Sequence, residues 1–232
     1  MICTYERGGG MAQPSDNELL EIENDGSFTM WRSVGWATVP PTPVGRFAGQ
    51  VNKNDLRLLK EEAGAASGAG DLSSRMQPGI PVETIETEGA SAEVTPGRDI
   101  PGPWGKLVEH LRELLGSLAD QPAAALALEV AGDRQRARLV HLGDDPLRLD
   151  LGEVTLHVSQ QSQTGAGLGE WRLPATDLGG EITAEAGWSI DLPFDHGLTL
   201  ETGSSMTVVA NLVAFDEDGL AVPVSLAASP AG

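Results

Sequence analysis

Several short segments of the chain alternate apolar and polar residues, as a β-strand does when one of its faces is buried. In the first such segment the apolar positions are Leu20, Ile22, Phe28 and Met30. They flank Asp25-Gly26, a dipeptide favoured in type I′ turns, where both central residues need positive φ. This pattern predicts a β-hairpin, and residues 81–97 predict a second one that turns near Glu88-Gly89.

Two other stretches have apolar residues three and four positions apart, as one face of a helix requires. Leu56, Leu59 and Ala63 predict a helix at about 53–66, with Asn52 or Asn54 as its N-cap. A second helix is expected to begin near Pro103, where the missing N–H of proline is harmless, and to end before Pro122. Its apolar stripe is Leu107, Leu111, Leu114, Leu115 and Leu118.

From Ala124 onward the chain holds about seven strand-like pieces separated by turn signals such as Gly143-Asp144 and Asp218-Gly219. Strands spaced in this way are typical of an immunoglobulin-like sandwich. We therefore expect an α+β domain at 18–121, with a small antiparallel sheet and two helices, followed by an all-β immunoglobulin-like sandwich at 122–232. Residues 1–17 are expected to be a disordered or non-native tail.

Composition narrows the classes of partner. The formal net charge of −19 disfavours binding to nucleic acids and to anionic membranes, and it would attract a basic partner. The simpler explanation of the acidity is a general habit of the source proteome, which requires no partner. Cys3 is the one cysteine, so no intrachain disulfide can form. With no membrane-spanning apolar run and no signal-peptide core, a cytoplasmic location is expected.

The candidates for catalytic or metal chemistry are weak. His110 is expected on an exposed helix face, and Asp195-His196 has no accompanying metal-ligand spacing. Asp216-x-Asp218-Gly219 resembles part of a calcium loop but favours a hairpin turn. The glycine-rich residues 165–170 break the spacing of a phosphate loop and are expected to be flexible. We therefore expect a protein that is not an enzyme and that needs no metal and no cofactor.

The order of elements in the first half resembles a known family. ELLEIENDGSFTMWRS at 18–33 and VGRFAGQVNKNDLRLLKEEAGAA at 44–66 are followed by VETIETEGASAEV at 82–94 and WGKLVEHLRELLGSL at 104–118. This sequence of hairpin, strand and helix is similar to the emfourin family. The resemblance implies a small cytoplasmic inhibitor of thermolysin-like metalloproteases and assigns no inhibitory residue.

The second half is similar in layout to immunoglobulin-like modules, including the intracellular proteinase inhibitor domain. The segments that carry this resemblance are RARLVHLGDDPLRLDLGEVTLHV at 136–158 and SSMTVVANLVAFDEDGLAVPVSL at 204–226. Sandwiches of this kind support unrelated functions, so the resemblance implies a fold more than an activity.

The leading hypothesis is a protein-binding or regulatory protein, with inhibition of an intracellular metalloprotease as its specific form. The predicted contact residues are Trp36, Pro40, Pro41, Pro43 and Arg46. Prolines stiffen a loop, so less entropy is lost on docking, and tryptophan is frequent among binding hot spots. The alternatives are a structural module that self-associates through the sandwich and a hydrolase whose carboxylates are distant in sequence. The sequence leaves the oligomeric state open.

Overall fold

The computed structural model of the chain combines two helices with many strands, in agreement with a mixed α and β class. It describes residues 1–8, 18–35, 37, 42–73, 81–132, 136–162, 167–174, 178–192 and 204–230, with the backbone alone for 153 and 167–174. The chain divides into two compact units, Met1–Arg32 with Arg46–Pro122, and Ser33–Gly45 with Ala123–Gly232. Residues 33–45 thus group with the second half of the chain, although the sequence had placed them in the first domain.

The first unit is built on a sheet whose strand order is β4-β3-β2-β1-β6-β7-β5. The strands are β1 (Cys3–Gly8), β2 (Glu18–Ile22), β3 (Ser27–Arg32), β4 (Val44–Gln50), β5 (Leu72–Ser73), β6 (Val82–Thr87) and β7 (Ala90–Val94). Neighbours from β3 through β7 pair antiparallel, and only the short β5 joins β7 in parallel. Both predicted hairpins, β2–β3 and β6–β7, are confirmed.

Helices α1 (Lys53–Ala69) and α2 (Gly102–Leu118) confirm the two predicted helices. Asn52 is the N-cap of α1, and its side chain accepts hydrogen bonds from the amides of Asn54 and Asp55. The helix continues three residues past the predicted end, until Gly70 adopts a φ of +77°. Neither helix among the described residues is long and apolar enough to cross a membrane.

Both helices lie on the same side of the first sheet, because Arg112 of α2 contacts Glu83 and Ser67 of α1 contacts Thr87, and these two β6 residues share one face. The helices contribute Leu59, Ala63, Leu107 and Leu111 to the core. The strands contribute alternate residues, so that Tyr5 is opposite Leu20 on one side and Ile85 on the other. The sheet residues on this side form the covered face: Cys3, Tyr5, Arg7, Glu18, Leu20, Ile22, Phe28, Met30, Arg32, Glu83, Ile85, Ala92 and Val94.

The expectation of a disordered tail is wrong for the first strand. β1 lies between β2 and β6, and its Cys3 and Tyr5 side chains are each 1% exposed. Its alternation spans only a few residues, and its apolar positions include a cysteine and a tyrosine rather than aliphatic residues. The local pattern was therefore too weak to predict a central strand. Residues 9–17 of the expected tail lie outside the described residues.

The turn between β2 and β3 also differs from the prediction. The Gly26 amide donates to the Glu23 carbonyl at 2.9 Å, which places Asn24 and Asp25 at the centre of the turn. Gly26 then follows with a φ of +88°. The loop thus has three residues, with one left-handed glycine after the turn, instead of the two-residue type I′ form. The Asp25 carboxylate caps it by accepting from the amide and the hydroxyl of Ser27, and these bonds lower its pKa.

The second unit contains the remaining strands. They are β8 (Pro122–Val130), β9 (Ala137–Leu142), β10 (Leu147–Gln161), β11 (Gly167–Pro174), β12 (Glu181–Ala184), β13 (Ser189–Leu192), β14 (Ser205–Phe215) and β15 (Ala221–Ala228). One sheet has the order β11-β10-β14-β15, with β12 also paired to β10, while β9 pairs with β8 and β13. β12 and β13, which only four residues separate, pair with different neighbours, β10 and β9.

Candidate partner-binding surfaces

The first candidate surface is the loop at 33–45, of which the structure describes the base. Trp36, Pro40 and Pro41 lie outside the described residues, whereas Pro43 and Arg46 are described and half-buried. Val34 forms a parallel bridge with Ser225 of β15. The Gly35 amide donates to the Ser225 carbonyl at 2.7 Å, and the Ser225 amide donates to the Ser33 carbonyl at 2.9 Å. The loop therefore starts from backbone that is fixed to a strand.

The two ends of this loop also touch each other. A Cβ atom added to Gly35 would lie 2.2 Å from the Thr42 carbonyl oxygen, which is backbone and cannot swing away. Glycine is therefore required here for close approach rather than for its φ. Six residues, 36–41, are enclosed between these two points. The two ends of the loop therefore lie close together, and its first end is hydrogen-bonded to the edge of β15.

The same contact bears on self-association through an edge strand. β15 pairs with β14 on one side, and on the other side Ser225 is already bonded to 33–35. Pro223, two residues before Ser225, has no N–H to offer along that edge. A second chain would therefore meet an edge that is partly occupied and partly without donors.

The second candidate surface is the side of the first sheet opposite the helices, which we call the open face. Two cross-strand rows lie on it: Trp31, Leu19, Glu6, Thr84 and Glu93, and beside them Thr29, Glu21, Thr4, Glu86 and Ser91. On the neighbouring β4, the half-buried Arg46 also lies on this side, because it alternates with Phe47, whose ring contacts Arg32 of the covered face. Leu19 is 43% exposed and is one of the few exposed large hydrophobic side chains among the described residues. It lies directly opposite Trp31, so the two make an apolar pair.

The open face is acidic, whereas the helices are balanced in charge. Glu6, Glu21 and Glu86 are exposed, Glu93 is half-buried, and neither row contains a lysine or an arginine. The helix residues that carry charge are Lys53, Asp55, Arg57, Lys60, Glu61 and Glu62 in α1, and Lys106, Glu109, Arg112 and Glu113 in α2. Each helix therefore has as many cations as anions, whereas the two rows of the open face carry four carboxylates and no cation.

One polar atom of the open-face pair is unsatisfied. The indole Nε1 of Trp31 is buried and has no hydrogen-bond partner among the described residues. A buried donor without a partner costs about 1–3 kcal/mol, which is unusual in a folded protein. The ring is therefore held in place by packing rather than by a hydrogen bond.

Glu83 on the covered face is paired with Arg112 of α2, whereas the buried Nε of Arg7 has no hydrogen-bond partner among the described residues. Glu83 is 1% exposed and accepts from the Tyr5 hydroxyl at 3.0 Å and from the Arg112 Nε at 3.1 Å. The guanidinium of Arg112 makes a second, shorter contact with the other carboxylate oxygen. Burial, followed by the charge of Glu83, raises the pKa of Tyr5, and the hydrogen bonds to Glu83 raise that of Arg112. The contacts of Glu83 with Arg112 and Tyr5 therefore link α2 to β1 and β6.

A second ion pair follows on the same face. The Arg32 Nε is 2.6 Å from a Glu18 carboxylate oxygen, and its guanidinium carbon lies 5.7 Å from the centre of the Phe47 ring. Its Nη2 also reaches the Leu115 carbonyl of α2 at 3.5 Å. These charges are satisfied inside the unit, so they leave little for an external ligand.

His110 connects the two helices instead of lying on an exposed face as predicted. Its Nδ1 is 2.8 Å from a Glu62 carboxylate oxygen, its Nε2 is 3.8 Å from Asp55, and its side chain is 13% exposed. The sequence showed its neighbours in α2 but gave no sign that α1 would bring two carboxylates to it.

His141, at the end of β9, is the most isolated polar side chain in the described structure. The residue is 3% exposed, and neither ring nitrogen has a hydrogen-bond partner among the described residues. Burial lowers its pKa, while the nearby backbone of Asp145 and the charge of Glu185 act in the opposite direction. The neutral imidazole is therefore the form that this site favours.

The remaining chemical candidates form no metal site within the part of the chain that the structure describes. No group of three or more His, Cys, Asp or Glu that could hold a metal occurs among the described residues. The Asp216 carboxylate accepts from the Leu220 amide at 2.8 Å, as the predicted hairpin turn between β14 and β15 requires. Residues 167–170 begin β11 rather than forming a flexible loop, and Asp195-His196 lies outside the described residues.

No protein-family model matches this sequence, and a comparison with curated proteins finds no match.

Proposed function

We propose that this protein is a non-enzymatic protein-binding or regulatory protein, and that its specific form is an intracellular protease inhibitor. The observation that carries this proposal is the fixed base of the loop at 33–45. The base is hydrogen-bonded to Ser225, and its two ends are in contact at Gly35 and Thr42. A short loop with Trp36, Pro40 and Pro41 on such a base would lose little entropy on docking.

The resemblance of the first half to emfourins supports a thermolysin-like metalloprotease as the partner and a cytoplasmic location. We further propose that the second unit is an immunoglobulin-like sandwich. The antiparallel sheet β11-β10-β14-β15 and the separate group β8, β9 and β13 support this assignment. A sandwich that presents a stiff loop at its surface is a familiar arrangement for binding.

The two alternatives have less support. Self-association through β15 is disfavoured by the segment 33–35 and by Pro223 at its outer edge. The hydrolase alternative is one that works with two carboxyl groups in one cleft, one as general acid and the other as general base or nucleophile. Among the described residues, Glu83 is the one carboxylate in the buried core, and its partners are Arg112 and Tyr5 rather than a second carboxylate.

The test is inhibition of a thermolysin-like metalloprotease by the full chain and by Trp36→Ala. We expect the wild-type chain to inhibit, and the variant to lose about 2 kcal/mol or more of binding free energy with an unchanged melting temperature. Leu220→Ala is the matched control, because Leu220 is 64% exposed in the same unit and lies away from the loop sequence. If the wild-type chain neither inhibits nor captures the protease, the inhibitor form is wrong. If Trp36→Ala instead unfolds the protein, Trp36 belongs to the core.

A further inference from the structure

On the open face of the first sheet, an exposed leucine lies beside a tryptophan and is bordered by carboxylates. A sheet face turned to water normally carries mixed polar residues, with apolar side chains scattered singly. Here Leu19 and Trp31 lie opposite each other on neighbouring strands. Glu6 lies next to Leu19 in the same row, and Glu21 and Glu86 occupy the adjacent row. The apolar pair is thus bordered by carboxylates.

We propose that this open face docks a protein partner whose own surface has an apolar centre bordered by lysine or arginine. The argument is charge complementarity. The two rows contain four carboxylates and no cation, namely Glu6, Glu21, Glu86 and Glu93, and the half-buried Arg46 of β4 offsets only one of these charges. Opposed charges at the rim of an interface raise the association rate and reject partners of like charge, while the apolar centre supplies most of the affinity.

The same charges exclude other occupants. A second copy of this chain would bring carboxylates against carboxylates, and phosphate groups of nucleic acids or anionic lipids would be repelled. The helix-bearing side of the unit lacks this selectivity, because α1 and α2 each carry balanced charges. The inference rests on the proposed binding function and adds the chemistry of the partner to it.

The experiment uses the full chain, labelled with 15N, and a synthetic hexapeptide in which two leucines are flanked on each side by two lysines. We expect amide shift changes at low salt that concentrate on β1, β2, β3 and β6. The affinity for the peptide should fall as the salt concentration rises, because the ion pairs between its lysines and the exposed glutamates are screened by salt. A peptide with glutamates in place of the lysines should produce no such changes.

Two double variants with the same change in charge make the test specific. Glu6→Gln/Glu21→Gln should weaken peptide binding roughly three- to tenfold, the effect of two exposed ion pairs. Glu109→Gln/Glu113→Gln changes two exposed carboxylates of α2 and should leave binding unchanged. Three outcomes would overturn the inference. The two double variants could weaken binding equally, the amide shifts could occur near all exposed carboxylates, including those at 216–218, or the peptide could fail to bind at millimolar concentration.

This result is separable from the proposed function. A chain that inhibits the protease through Trp36 but ignores the lysine peptide overturns the inference alone. A chain that binds the peptide on the open face but neither inhibits nor captures the protease retains the inference and loses the inhibitor form of the function.

Discussion

The two faces of the first sheet are made by the same strands and differ in what their charged residues do. On the covered face, Glu83 is buried, pairs with the partly exposed Arg112 of α2 and accepts a hydrogen bond from the Tyr5 hydroxyl. On the open face, Glu86 comes from the same strand as Glu83, three residues later, and is exposed. The alternation of side chains along a strand separates the two roles. One glutamate stabilises the fold, and the other is available to a partner.

The largest expected effect is on the covered face. Glu83→Ala removes the carboxylate that binds Arg112 and Tyr5 and leaves both groups without their partner. We expect a loss of about 3 kcal/mol in the free energy of unfolding, the lower end for a broken buried ion pair, since Arg112 is 30% exposed and can regain water. Urea denaturation of the full chain measures it. An unchanged midpoint would mean that this carboxylate is not buried.

A smaller loss is expected when only the hydroxyl is removed. Tyr5→Phe keeps the ring in the core and the Glu83–Arg112 pair intact, but it deletes the 3.0 Å hydrogen bond to the carboxylate. Hydrogen bonds to charged groups contribute about 1.5–3 kcal/mol, so a loss of about 1.5 kcal/mol is expected. The same denaturation series measures it. A loss equal to that of Glu83→Ala would show that the two variants break the network in the same way.

The second unit provides a buried titratable group without the pairing seen in the first. Because burial lowers the pKa of His141 below its ordinary value of 6.5, the folded protein binds fewer protons there than the unfolded chain does. The stabilisation is complete above pH 6.5 and is lost as the pH falls from there through the folded-state pKa. His141→Leu removes this titration, so the wild type should lose more stability than the variant between pH 8 and pH 5. Parallel pH profiles would contradict a buried neutral imidazole.

The smallest expected effect is on the open face. Glu86→Ala changes an exposed residue that has no partner to lose in the core, so the free energy of unfolding should change by no more than about 0.5 kcal/mol. Thermal and urea unfolding of Glu86→Ala and Glu83→Ala, measured side by side, compare the two faces of one strand. A loss of similar size in both variants would remove the distinction between the faces.

The sequence predicted most of the regular elements because their periodicities are long and clear. The helices around Leu59 and Leu111 and the hairpins at Asp25-Gly26 and Glu88-Gly89 were confirmed in this way. The first strand was missed because a strand of six residues gains its stability from β2 and β6 on either side, and no local pattern reports such neighbours.

The candidate surfaces were less predictable. Proline and tryptophan pointed to the loop from Gly35 to Gly45, but the attachment of its first residues to Ser225 joins positions far apart in sequence. The open face depends on the register of strands, which brings Glu6 beside Leu19 and Leu19 beside Trp31. A one-residue shift in register would move each of these side chains to the other face. The sequence pattern shows which residues of a strand share a face. The pairing of neighbouring strands determines which of these residues lie beside one another.

The most direct test of the difference between the two faces is thiol reactivity along β1. Burial raises the pKa of Cys3 from 9.0 to about 12, which alone lowers its thiolate fraction at pH 8 about a thousandfold. A chain with Cys3→Ala and Glu6→Cys places the thiol on the same strand but on the exposed open face. We expect Cys3 to react with a disulfide reagent far more slowly in the folded chain than in urea. The thiol of the Glu6→Cys variant should react at nearly the same rate in both. If Cys3 reacts as fast in the folded chain as in urea, β1 is not part of the sheet and the distinction between the covered and open faces fails.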